Sequence, residues 1–184
     1  MSRGSGPRRH EQQGGSAEAH SLGSERKRQV AVIGSSRAEL DSELERLARD
    51  VGQLLAEAEV TVVCGGLGGV MAAACRGARE AGGEAIGIVP GHEVAEANEF
   101  CTHVVATGIG HARNLAVVSS GEVVIAIGGE WGTLSEIGFG RAIGRSVIAL
   151  RSWTLSGREQ MVDAPGVLLA DGAREAVDLA VAEL

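Results

Sequence analysis

Lysine occurs once in 184 residues, at Lys27, and that scarcity removes two chemistries at the outset. A pyridoxal phosphate enzyme needs a lysine for its Schiff base, and a P-loop nucleotidase needs one in its Gly-Lys-Ser/Thr element. Aromatic side chains are equally sparse, two Trp, two Phe and no Tyr, so the core must be packed from Val, Ile, Leu and Ala. Cysteine is confined to Cys64, Cys75 and Cys101. Their odd number and wide spacing match neither a disulfide framework nor a zinc pattern, so buried reduced thiols and no metal are expected. No stretch approaches the roughly 18 apolar residues of a membrane helix, and no apolar run near the start suits a signal peptide, which predicts a cytoplasmic protein.

Glycine, in contrast, is abundant at 28 residues, as expected where chains turn tightly or backbone closely approaches something. The length suits one domain and a tail. Residues 1–28 hold six Arg or Lys against three Glu, net +3, so the remainder carries −10 of a total −7. An acidic domain lacks the basic face that a nucleic-acid groove requires, so no nucleic-acid partner is expected. The first 28 residues are rich in Gly, Ser, Arg and Gln and cannot offset the entropy of ordering, so they read as a disordered polar tail, with the domain over 29–184.

From Gln29 onward, short apolar runs alternate with stretches of helical period. The runs are Val30 to Ile33, Val60 to Val63, Ala85 to Val89, His103 to Ala106, Val123 to Ile127 and Val147 to Leu150, each read as a buried parallel strand. Helices are predicted over Leu40 to Ala58, Val70 to Ala81, Ala112 to Ser119, Thr133 to Ile143 and Gly172 to Leu184. The alternation predicts a doubly wound α/β domain with a mostly parallel sheet, whose ligands bind where strands exit at their carboxyl ends.

Three strand exits are candidates. The first, Gly34-Ser35-Ser36, either admits a phosphate or ribose to the backbone or starts a capping box from Ser36 to Glu39. The second is Cys64-Gly65-Gly66-Leu67-Gly68-Gly69-Val70. Four glycines in five positions let successive amides face one anion while the next helix adds its positive end, although this is not the Gly-x-Gly-x-x-Gly dinucleotide pattern. The third, Gly128-Gly129-Glu130-Trp131-Gly132-Thr133-Leu134-Ser135-Glu136, again separates strand from helix with glycine. Here Thr133 and Glu136 have the spacing of a capping box, which alone would account for the glutamate as well as a chemical role would.

The combination of Gly-Gly-x-x-Gly-Thr-x-x-Glu, the preceding Arg113 and the Gly65 to Met71 loop resembles the Lonely Guy family within the SLOG superfamily. That family was long mislabelled as lysine decarboxylases. It cleaves the N-glycosidic bond of nucleoside 5′-monophosphates, cytokinin ribotides among them. The resemblance runs from Val30 to about Leu150 and implies a Rossmann-like fold, a nucleoside monophosphate ligand, no cofactor and a homodimer. It places catalysis on Glu136 and Arg113. Gly34, Ser35, Ser36, Gly65, Gly66, Gly68, Gly69, Gly128, Gly129, Gly132 and Thr133 would bind the nucleotide. His111, Asn114 and Trp131 are further candidates: His111 as a phosphate donor or an exposed loop residue, Trp131 as a base stack or as filler of a core gap or interface.

Two positions depart from the family pattern. Asn114 stands where the family has lysine. Glu130 stands where it has the second glycine of Pro-Gly-Gly-x-Gly-Thr, and a carboxylate at about 4 Å from a phosphate repels it by about 1 kcal/mol even in water. Glu130 must therefore point away, or the ligand differs. Overall the chain also resembles an uncharacterised bacterial branch of the superfamily, which includes a molybdenum-cofactor carrier from algae. That likeness implies the alternative of a protein that binds a nucleotide or pterin ligand without cleaving it; a third reading, nucleic-acid binding by analogy with the superfamily's DNA-processing members, is the one the acidic domain disfavours.

Overall fold

The computed structural model describes residues 1, 26–37, 41–153 and 167–184. Most of the expected tail, residues 2–25, and Glu39 of the expected first capping box lie outside these. Seven strands form one sheet: β1 Gln29–Gly34, β2 Thr61–Cys64, β3 Ala85–Val89, β4 His103–Ala106, β5 Val123–Ile127, β6 Ser146–Leu150 and β7 Val167–Ala170. They lie in the order β4-β3-β2-β1-β5-β6-β7, and every pair is parallel. Four helices lie between strands, α1 Ser42–Glu57, α2 Val70–Glu80, α3 Arg113–Ser120 and α4 Trp131–Ala142, and a fifth, α5 Ala173–Ala182, follows β7. Short 3-10 turns at Val94–Glu96 and Gly110–Ala112 complete the described elements.

The strands are apolar without alternation because both faces of the sheet are covered. All four residues of β2 and all five of β5 are buried. On one face, α1, α2 and α5 pack over Val30, Val32, Val62, Cys64, Ile125 and Ile127. On the other, α3 and α4 cover Ala31, Ile33, Val63, Val124 and Ala126. The strand and helix pattern read from the sequence is thus present, with a seventh strand added. Val167–Ala170 is a four-residue edge strand with one buried residue, a Val-Leu-Leu-Ala run that the expected set of strands omits. Among the described residues no helix is long and apolar enough to cross a membrane.

Helix α1 begins two residues later than expected, because Asp41 caps it: its carboxylate accepts from the Glu43 amide at 2.7 Å. Ser36 is therefore not the cap of α1. Folded structure reaches back to Arg26, since Arg28 and Arg26 pair with Glu122 at 2.8 and 3.3 Å and Lys27 pairs with Glu84 at 3.3 Å.

Helices α1 and α2 approach so closely that small residues are required between them. A Cβ on Gly52 would strike the Ala74 carbonyl, and one on Gly77 would strike the Arg49 carbonyl. Replacing a helical glycine by alanine ordinarily stabilises by about 1 kcal/mol. Here overpacking outweighs that gain, and Gly52→Ala and Gly77→Ala are each expected to destabilise by about 1–3 kcal/mol. Urea midpoints test this, and a raised midpoint for either variant contradicts the close packing.

Candidate functional site

The strand order reverses between β1 and β5. From β1 the chain winds outward through β2, β3 and β4, then returns to β5 on the opposite side. Loops leaving adjacent strands at such a point diverge and leave a crevice. A cavity of about 140 Å³ lies there, floored by Gly34, Ser35 and Ser36 after β1 and by Gly132, Thr133 and Glu136 of α4. Arg113, Asn114 and His111 enter from the start of α3, and Glu130 stands at the rim. Leu67 and Met71 add an apolar wall; as single residues without periodicity they gave no signal in the sequence.

The start of α4 faces this space uncapped. Glu130 is the residue before its first turn and makes no side-chain cap bond. The first helical bond runs from the Leu134 amide to the Glu130 carbonyl at 2.9 Å. The amides of Trp131, Gly132 and Thr133 precede the helical ladder and present the positive end of the dipole, as an anion requires. The approach is fixed from behind: Ser152 Oγ donates to the Gly128 carbonyl at 2.5 Å, and Trp153 Nε1 to the Glu130 carbonyl at 3.3 Å. Ser152 and Trp153 follow β6, far along the chain, so their role is visible only in three dimensions.

The helix register disposes of the capping account of Glu136. Because α4 starts at Trp131, Thr133 lies in the first turn rather than before it, and Glu136 is a turn further in. Its side chain instead lies beside Arg113, Nη1 to Oε1 at 3.9 Å, and both are almost fully buried. Burial pushes the Glu136 carboxyl from about 4.5 up to about 7, with the Arg113 charge pulling only partly back. Burial likewise lowers the Arg113 pKa, opposed by the charges of Glu136 and Cys64. Arg113 Nε is buried without a hydrogen-bond partner among the described residues. A guanidinium only loosely paired and partly unsatisfied is a group prepared for a further anion.

The glycine loop after β2 takes a different place from the other two. Gly65, Gly66, Gly68 and Gly69 do not line the cavity. Gly65 lies directly beneath the Arg113 guanidinium, where any Cβ would collide with it. Gly69, at φ +63°, lets the loop after β1 close on α2, whose Val70 amide donates to the Ser35 carbonyl at 2.9 Å. Gly128 and Gly129 form the turn under α4, Gly129 packing against the Thr133 side chain, and neither lines the cavity.

Glu130 points across the rim, where its Oε1 meets Arg37 Nε at 2.5 Å. This exposed pair contributes little stability, but it opposes the negative charge at the entrance. Trp131 is 76% exposed and lies outside the cavity, its ring 5.4 Å from that of Trp153. It lines an adjoining groove of about 610 Å³ with Leu115 and Phe139, and His111, Asn114 and Gly132 border both spaces. His92, also exposed, lies under Gly108, away from the cavity lining.

Fold and crevice together define an α/β protein with a Rossmann-like fold of the nucleotide-binding type. More narrowly, residues 27–177 match the model of the SLOG cluster4 family, and the chain belongs to that family. An uncharacterised protein of Archaeoglobus fulgidus is 41% identical over 123 residues, 67% of this chain and 80% of the relative. The molybdenum cofactor binding protein of Rippkaea orientalis is 31% identical, with a TM-score of 0.77 over 86% of this chain and 98% of that one. The molybdenum cofactor carrier protein of Chlamydomonas reinhardtii is 26% identical, with a TM-score of 0.76 over 86% and 98%.

The raised Glu136 pKa carries a stability consequence. Between about 4.5 and about 7 the folded chain holds a proton on Glu136 that the unfolded chain has lost, so this group lowers stability as pH rises through that window. The full effect is about 3 kcal/mol. Relative to the parent, Glu136→Gln is expected to gain stability by up to that amount between pH 5 and pH 8. Denaturant titrations at both values measure it, and an unchanged difference places Glu136 in water.

Proposed function

We propose that this protein is a nucleoside 5′-monophosphate phosphoribohydrolase that cleaves the N-glycosidic bond to free base and ribose 5-phosphate. The observation that carries this reading is the buried Glu136 carboxyl inside the cavity, beside Arg113 and unused by any helix cap. The phosphate sits on the Gly132 and Thr133 amides, with the Ser35 and Ser36 loop opposite and the Arg113 fork closing over it. The ribose then lies toward Glu136. The base extends from the small cavity into the groove beside Trp131, because a cavity of about 140 Å³ holds only part of such a ligand.

Glycosidic cleavage builds positive charge on the ribose anomeric carbon, and a nearby carboxylate stabilises it and takes a proton from the attacking water. A pKa of about 7 suits proton transfer near neutral pH. Since Glu136 acts ionised, kcat/KM is expected to fall as pH drops below about 7. Assay of a broad panel of nucleoside monophosphates tests the reaction. At least one should release ribose 5-phosphate, and Glu136→Gln should lower kcat by about 100-fold or more while retaining binding. A panel in which nothing is cleaved eliminates the hydrolase.

The 31% and 26% likenesses to a molybdenum cofactor binding protein and a molybdenum cofactor carrier favour a second reading, a protein that holds a nucleotide or pterin ligand intact. The same crevice serves it, with Arg113 and the start of α4 as an anion seat and Glu136 as a hydrogen-bonding partner. A ligand released from the purified chain by heat, intact by mass spectrometry and unaltered on incubation, distinguishes it from the enzyme.

Under either reading the chain acts as a homodimer through α3 and α4. Leu115, Trp131 and Phe139 expose 44, 76 and 43% of their surface on these helices, and the groove among them continues into the cavity. Exposed apolar area of this kind marks association surfaces. Phe139→Arg is expected to halve the mass measured by light scattering, and a parent chain that is already monomeric rules the dimer out.

A further inference from the structure

The three cysteines, unremarkable in spacing, converge on one spot behind the site. Cys64 ends β2, Cys75 lies in α2, and Cys101 precedes β4. Their sulfurs stand 3.3 Å apart for Cys64 and Cys75 and 3.8 Å for Cys75 and Cys101, all three within 4.8 Å of one another. Cys64 and Cys75 are buried as expected; Cys101 is only half-buried and opens the cluster to the surface.

Backbone holds the arrangement in place. Asn98 Nδ2 donates to the Gly66 and Leu67 carbonyls at 3.1 and 2.9 Å, while the Cys101 amide donates to the Asn98 carbonyl at 3.2 Å. The segment bearing Cys101 is thereby clamped to the loop that follows Cys64. Gly87 clears the space beside Cys101, because a Cβ there would lie 2.6 Å from its sulfur.

We propose that Cys64, Cys75 and Cys101 form a three-thiolate site for a soft monovalent cation of the Cu(I) type. A metal about 2.3 Å from each of three sulfurs sets them about 4 Å apart, and the observed separations of 3.3 to at most 4.8 Å bracket that figure. Thiolates select soft cations. Structural zinc almost always completes a fourth ligand, and among the described residues no His, Asp, Glu or further Cys joins the group. The excess negative charge has a neighbour of opposite sign, since the Arg113 guanidinium lies over Gly65, adjacent to Cys64.

Cys101 receives the ion first. Its sulfur is the half-buried one of the three and so the point of entry from the surface. Binding completes the site by displacing the thiol protons to solvent as Cu–S bonds form, with no change of oxidation state.

The test uses the full chain, reduced and kept free of oxygen, with Cu(I) supplied as its acetonitrile complex in competition with bicinchoninate. One Cu(I) per chain is expected, with release of protons on binding, and Zn(II) should not displace it. Cys101→Ser, at the half-buried position and checked for folding by circular dichroism, is expected to lose competition against the indicator. A Cys101→Ser chain that competes as well as the parent overturns the site. So does a parent that takes no copper from the indicator, retention of Zn(II) against Cu(I), or recovery of the reduced chain from glutathione buffer with Cys64 and Cys75 joined as a disulfide. None of these outcomes bears on nucleotide binding at the crevice.

Discussion

Parallel pairing holds β1 against β5 from Val30 opposite Val123 to Gly34 opposite Ile127, and most of the molecule's chemistry follows from that contact. The chain leaves β1 toward α1 on one face and β5 toward α4 on the other, so the two exits part and, among the described residues, none lies in the gap between them. Helix α4 thus begins at the mouth of the crevice, with its first amides outside any hydrogen-bond ladder. A seat suited to an anion arises from topology and helix geometry before any particular side chain contributes.

Onto that seat the sequence places two ionisable groups that water would stabilise better. Arg113 and Glu136 are 7% and 6% exposed, and their separation of 3.9 Å is too long for the hydrogen-bonded pairing that would offset desolvation. The arrangement costs stability at neutral pH, which a purely structural pair would have little reason to retain. Such destabilised groups cluster where a ligand or a reaction supplies the missing interaction. Gly65 permits it by leaving room for the guanidinium. The glycine-rich second loop therefore serves the site indirectly, shaping the floor under Arg113.

The same loop connects the crevice to the cysteine cluster. Cys64 precedes Gly65, and the Gly66 amide donates to Cys64 Sγ at 3.3 Å, so a change at the sulfurs lies one residue from the seat of Arg113. Glu130 shows the reverse relation, a charge that is unfavourable in a phosphate loop yet is turned across the rim to Arg37. The sequence identified Glu130 as the problem but offered no means to see its partner, because Arg37 belongs to a different strand exit.

Hydrophobic runs and helical periodicity determined the α/β class, six of the seven strands and all five helices to within about two residues, because burial on both faces demands unbroken apolar strands. The edge strand β7 is the one omission: a four-residue apolar run does not by itself tell strand from helix, and Val167–Ala170 leads directly into the helical pattern of α5. Of the glycine, serine and threonine positions at the strand exits, Gly34, Ser35, Ser36, Gly132 and Thr133 line the crevice, whereas the other glycines shape the backbone around it. What local spacing left undecided was Glu136, because Thr-x-x-Glu is equally a cap and a site; the start of α4 at Trp131 resolved it against the cap. The meeting of Arg113 with Glu136 and of Cys64 with Cys75 and Cys101 depended on the tertiary structure alone. Each joins residues from separate elements, and only the packing of α2, α3 and α4 on a common sheet brings them within a few ångströms.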